Sequence, residues 1–168
     1  HARIYRLVYD QAQPANVKSL HNAPPDVLVK ALANDNLFWR RQAQRLLVER
    51  GERDVVPQLL NLLHDETVDA TGLNAGAVHA LWTLAGLGVL NDPPRDVSAA
   101  VEKSLTHPSA AVRRNALTVL PRDPKYAPAI AKLTQDRDGQ VQLAAWLALA
   151  DLPRTSDGAV AALAVIEA

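Results

Sequence analysis

Apolar residues recur along most of this chain three and four apart, the spacing that places them on one stripe of an α-helix. Four such runs are Val27-Leu28-Ala31-Leu32, Val55-Val56-Leu59-Leu60-Leu63, Val97-Ala100-Val101-Leu105 and Ala127-Ile130-Ala131-Leu133. Each precedes a second run of the same period, and the second runs share a pattern. Trp39 to Leu47, Gly76 to Leu84, Val112 to Leu120 and Val141 to Leu149 all carry alanine in fifth place, as Ala43, Ala80, Ala116 and Ala145. These alanines stand 37, 36 and 29 residues apart. A unit of that length holds two helices and a turn; it cannot bury its stripe alone and does so by stacking on neighbouring units. The pattern predicts an all-α fold, a right-handed α-α superhelix of about four to five helical pairs over residues 25–168.

Breakers fall where such pairs need them. Pro24-Pro25-Asp26, Asp54 with Pro57, Pro93-Pro94 with Asp96, and Asp123-Pro124 suit the starts of first helices. Gly51 suits a left-handed helix exit, and Pro121 and Pro153 end two later second helices. Short polar turns join the helices within a pair at Asn34-Asp35-Asn36, at Thr106 to Ser109 and at Asp136 to Gly139. In the second pair the turn is longer, from His64 to about Asn74, and carries Asp65, Glu66, Asp69 and Gly72; it is the most individual exposed feature expected. The stretch from Asp157 to Ala168 reads as one helix of a fifth pair or a cap on the open end. Residues 1–24 do not share the repeat. HARIYRLVYD is β-branched and aromatic without a helical stripe and reads as a short extended strand, followed by a proline- and asparagine-bearing linker. A lone strand needs a partner, so this segment reads as the remnant of an upstream domain.

Composition narrows the chemistry. Of 168 residues 48 % are apolar, enough for one continuous core, and 18 Lys plus Arg balance 18 Asp plus Glu. There is then no global field to gather nucleic acid or an anionic membrane. Cysteine is absent, which excludes disulfides, thiolate metal sites, a CxxCH haem attachment and a cysteine nucleophile within these residues. Methionine is absent even at position 1, which fits a segment of a longer protein. The longest apolar stretches, such as Ala144 to Ala150 and Ala159 to Ile166, fall well short of the roughly 18 residues a membrane helix requires.

Pro108-Ser109-Ala110-Ala111-Val112-Arg113-Arg114-Asn115-Ala116-Leu117 resembles the HEAT family, in which a short turn bearing Asp or Pro leads into V-R-x-x-A at the start of the second helix. Phe38 to Gly51 and Val78 to Gly88 are similar to the HEAT region of large bacterial secreted proteins described as membrane-bound dehydrogenases or haem-binding proteins. That resemblance implies a sugar-dehydrogenase-like β-propeller upstream, whose last strand Arg3 to Tyr9 is similar to, and a c-type cytochrome domain downstream. It also implies a periplasmic or secreted location. Neither a propeller active site nor a haem motif lies in these residues, so the family's redox chemistry maps onto none of them, and no cofactor is expected here.

The candidate interaction surface is Trp39, Arg40, Arg41, Arg45, Arg113 and Arg114. An aromatic ring offers large contact area at low entropic cost, so Trp39 and Trp82 could form an exposed patch for a partner or a sugar; the ordinary expectation is core or inter-repeat packing, with Trp82 and Trp146 as the core pair. Clustered arginines could read phosphates if aligned along one groove, as in HEAT-like DNA glycosylases, but Ala77 and Gln142 interrupt the ladder at the places equivalent to Arg40. The ordinary expectation is pairing of the arginines with Asp35, Asp65 or Asp138 in neighbouring turns. Thr134 to Gly139 superficially resembles part of a calcium loop, yet its twelfth place is Ala145 where a bidentate Glu is required. Asp65, Glu66 and Asp69 lack metal-ligand spacing, and the scattered histidines form no HExxH. No Ser/His/Asp motif or phosphate loop is present, and the H-x-E deaminase motif with its P-C-x-x-C half is excluded because cysteine is absent. The expectation is a non-catalytic scaffold that binds a protein or a neighbouring domain, with a nucleic-acid-binding HEAT-like protein as the alternative; neither membrane insertion nor a small-molecule ligand is expected.

Overall fold

Eight α-helices make up the computed structural model, which describes Tyr5, Gln11 and residues 19–153. They are α1 (Pro25–Ala31), α2 (Leu37–Arg50), α3 (Val56–His64), α4 (Ala75–Gly86), α5 (Arg95–Lys103), α6 (Ala110–Val119), α7 (Ala127–Lys132) and α8 (Gly139–Ala150). Among the described residues there is no strand. The strand expected over residues 1–10 lies outside the described residues except for Tyr5, which belongs to no regular element, and the helix expected from Asp157 to Ala168 lies outside them altogether.

Local chemistry sets the boundaries. Asn36, Asn74 and Asp138 cap α2, α4 and α8 by accepting backbone N–H bonds in the first turn, relieving donors that have no partner inside the helix. Pro25 and Pro57 occupy first-turn positions, where their missing N–H costs nothing. Asp54, expected as a cap, instead forms a two-bond pair with Arg50 across the α2–α3 turn, at 2.7 and 2.6 Å, and Val55 precedes α3 without side-chain capping. Gly51 ends α2 at φ 73°, and its N–H bonds to the Leu47 and Val48 carbonyls; a side chain there would strain the left-handed turn.

The packing follows the two sets of stripes. α1 lies on α2, α3 on α4, α7 on α8, and the 3-10 turn Ser104–Thr106 that ends α5 lies on α6. The second helices α2, α4, α6 and α8 then pack successively in one row; α1, α3 and α5 follow in another with slighter contact. The four repeat alanines are all fully enclosed, at 0 % exposure, so they sit where the second helices need room for a neighbour. The residue four places later, Leu47, Leu84 and Leu120 in the first three second helices, is buried beside them. One cluster of buried apolar residues runs from Leu28 to Leu152.

Ala80→Leu should destabilise the fold by about 1–3 kcal/mol through overpacking. Leu147→Ala, at a position 58 % exposed, should change stability by less than about 0.5 kcal/mol. Urea unfolding followed by circular dichroism checks both.

Candidate functional site

Two of the candidate arginines are held inward by the turns beside them. Arg40 donates through Nη1 to the carbonyls of Asn34 and Asp35, and through Nε to Nε2 of His79 on α4 at 3.3 Å. Arg113, three places before Ala116 as Arg40 is before Ala43, repeats the arrangement: Nη1 donates to the His107 and Pro108 carbonyls at 2.8 and 3.0 Å. Its Nε and Nη2 then reach both oxygens of Asp136, at 2.8 and 2.7 Å, in the turn of the next pair. This pair is enclosed, with side chains 6 % and 7 % exposed. Burial pushes the Asp136 carboxyl up, but the bonds from Arg113 and from the Asp138 amide outweigh it and hold the group below the ordinary carboxylate value.

The other two pairs satisfy the same turn carbonyls differently. Gln142 donates to the Asp136 carbonyl at 2.6 Å, and Asn74, while capping α4, donates to the carbonyls of Asp65 and Thr67 at 2.7 and 2.9 Å. The expectation that arginines pair with the carboxylates of Asp35, Asp65 or Asp138 is therefore corrected. Arg40 takes the Asp35 carbonyl, the Asp65 and Asp138 carboxylates accept backbone N–H bonds, and the enclosed ion pair uses Asp136. A carbonyl is the nearer acceptor because the arginine leaves the first turn of its own helix pointing back at the chain that led into it.

Arg41, Arg45 and Arg114 are exposed. Arg45 makes a loose pair with Glu49 at 3.5 Å, whereas no hydrogen bond or ion pair is formed by the guanidinium of Arg41 or Arg114 among the described residues. The tryptophans also depart from expectation. Trp82 and Trp146 are not a core pair but surface residues, 38 % and 42 % exposed, and Trp39 is half-buried with Phe38 edge-on to it at 5.1 Å. Trp82 stands two places after the repeat alanine, level with Arg45 and Thr118, and that position faces outward in each helix. Trp146 stands one place after Ala145, level with the buried Leu81 and Leu117, but α8 ends the row of described second helices.

A groove of ≈ 530 Å³ runs between α2 and α4, with Arg41, Arg45 and Val48 along one wall and Trp82 on the other. Its floor is low because Ala85 and Gly86 have little or no side chain; a Cβ on Gly86 would stand 2.6 Å from Val48 Cγ2. Trp82 is held from the far side, where its indole N–H donates to Asn115 Oδ1 at 2.7 Å and Asn115 in turn donates to the Ala111 carbonyl. Gln44, which also lines the groove, bonds to His79 Nδ1 at 2.6 Å. With Nε2 accepting from Arg40, the His79 proton sits on Nδ1 and is donated to Gln44. Desolvation, with the charges of Arg40 and Arg41 acting in the same direction, pushes the His79 pKa down to about 4.

The long turn Asp65–Asn74 is ordered from within. Asp69 accepts from Thr71 N, Thr71 Oγ1 and Leu73 N, which hold its carboxyl below the ordinary value, and Gly72 supplies a positive φ of 78°. His107 Nε2 donates to the Asp65 carbonyl at 3.0 Å and ties this turn to the next pair. Among the described residues no group of three or more His, Asp or Glu is placed to hold a metal ion, and no helix is long and apolar enough to cross a membrane. No protein-family model matches the chain, and no curated protein matches it.

Arg113→Ala should cost about 3 kcal/mol by stranding Asp136 and two turn carbonyls, against less than about 0.5 kcal/mol for Arg114→Ala next to it. Chemical denaturation of both variants at neutral pH tests the contrast. The pH dependence carries a second expectation. Between the ordinary histidine value of 6.5 and about 4 the unfolded chain takes up a proton that folded His79 refuses. The stability this group contributes is thus complete above pH 6.5 and is lost as the pH falls through about 4. His79→Gln should flatten the stability profile over that interval.

Proposed function

We propose that this chain is a non-catalytic scaffold of the HEAT type, its two helix rows winding as a right-handed α-α superhelix, and that the second-helix row is the face on which another protein or a neighbouring domain docks. The observation that carries the proposal is the groove between α2 and α4, walled by an exposed tryptophan and two outward arginines on a fixed helical framework. Such a framework binds by presenting a preformed surface.

The resemblance of Phe38–Gly51 and Val78–Gly88 to HEAT regions of bacterial redox proteins extends the proposal. The chain would serve as a spacer in a secreted or periplasmic protein, between a propeller and a cytochrome domain, and take no part in their chemistry itself. A nucleic-acid reading is weaker, because the turn carbonyls and Asp136 engage Arg40 and Arg113, two of the guanidinium groups that a phosphate ladder would need.

A photo-crosslinking residue placed at Arg45, with Gln58 on the first-helix row as control, tests the face in the producing cell. Adducts with another protein or domain from position 45 and not from position 58 are expected; adducts from 58 alone would refute the assignment. Titration with duplex DNA tests the class, since tight binding that weakens steeply with salt would replace this reading by the nucleic-acid one. Upstream and downstream sequence with neither a propeller nor CxxCH would remove the redox-protein context alone.

A further inference from the structure

Resting on the docking face just proposed, we infer that its occupant is an acidic protein segment carrying one apolar side chain, which enters the groove between α2 and α4 against the ring of Trp82. Charge is the first argument. The four second helices carry Arg40, Arg41, Arg45, Arg50, Arg113 and Arg114 against Glu49 alone, although the chain as a whole has no net charge. Much of the balancing acid lies in turns, as Asp35, Asp65, Asp69, Asp136 and Asp138. Arg50 and Arg113 are balanced by Asp54 and Asp136, so the row's excess positive charge lies with Arg40, Arg41 and Arg114, with Arg45 facing Glu49. Of its arginines, Arg41 and Arg114 are exposed with guanidinium groups that bond to nothing among the described residues, and Arg45 makes a loose surface pair with Glu49.

Shape is the second. Trp82 is held through its N–H by Asn115, so its ring is already oriented before a partner arrives and less rotamer freedom is lost on binding. Val48, Ala85 and Gly86 complete an apolar trough whose ≈ 530 Å³ suits one aliphatic or aromatic side chain together with its flanking backbone. Along α2 the sign of charge changes from Arg41 and Arg45 to Glu49, one helical turn apart each. The trough thus has polarity, and the partner's carboxylates belong at the Arg41 end. A phosphate backbone would match the arginines but would leave the trough empty.

The probe is a fluorescein-labelled synthetic peptide of alternating Glu and Asp interrupted by one Phe, titrated with the whole chain and followed by anisotropy. Saturable binding is expected, weakened about tenfold or more by Arg41→Glu with Arg45→Glu. A comparable loss is expected with Trp82→Ala, or when Ser replaces the Phe of the peptide. Circular dichroism and the unfolding midpoint of each variant separate a lost site from a lost fold. Equal binding of the Ser peptide, or unaltered binding by the arginine variants, would overturn the proposal, as would a duplex DNA binding more tightly than the peptide. If the peptide fails while the cross-link at position 45 forms, the partner chemistry falls and the docking face stands. If both fail, both fall.

Discussion

The backbone of each intra-pair turn is the constraint around which this molecule is organised. A tight polar turn between two helices leaves carbonyl oxygens facing the protein, and an unpartnered buried carbonyl costs about as much as a lost hydrogen bond. Each pair answers with a long or branched polar side chain: Arg40, Asn74, Arg113 and Gln142 all donate to turn carbonyls. Where the donor is Arg113, the remaining nitrogens reach Asp136 and so fix one pair against the next. Helix packing supplies the bulk of the core, and these donors set how each hairpin is closed.

That division of labour explains why five of the six second-helix arginines have two fates, the sixth, Arg50, being paired with Asp54 across the α2–α3 turn. Three places before the repeat alanine the side chain is drawn back into the turn; two places before it, or two after, it leaves the protein. Adjacent residues Arg113 and Arg114 are thus a structural clamp and an exposed cation. Of the outward set, Arg41 and Arg45 line the groove beside Trp82, while the inward set is engaged by the turns. Near the groove the relay from Arg40 through His79 to Gln44 keeps an uncharged imidazole between α2 and α4, so an arginine's donor is satisfied without a second charge to desolvate.

The order and approximate bounds of the eight described helices are legible because they rest on local signals: period, alanine register, Asn36, Gly51, Pro57 and Pro121. The long turn was legible as an insertion, though not the bonds by which Asp69 and His107 hold it. The exposure of Trp82 and Trp146 runs against residue type, since tryptophan is usually buried, whereas register against Arg45 and Thr118 puts Trp82 outside. Asp136 and Asp138 lie in one turn, and only three-dimensional placement shows that one meets a guanidinium and the other caps α8. The His79 relay joins residues 35 and 39 positions apart, a separation that no local pattern encodes.

The unequal contact within the two rows has a mechanical side. The second helices touch along their sequence of neighbours, while contact in the first row is slighter throughout and slightest between α5 and α7, where a groove lined by Ala99, Leu105, Ala129 and Leu133 opens. A strip bonded firmly on one side and loosely on the other yields under load by bending, with the loose side taking up the change in length. In this chain the first-helix row is the loose side, on which such a change in length would fall.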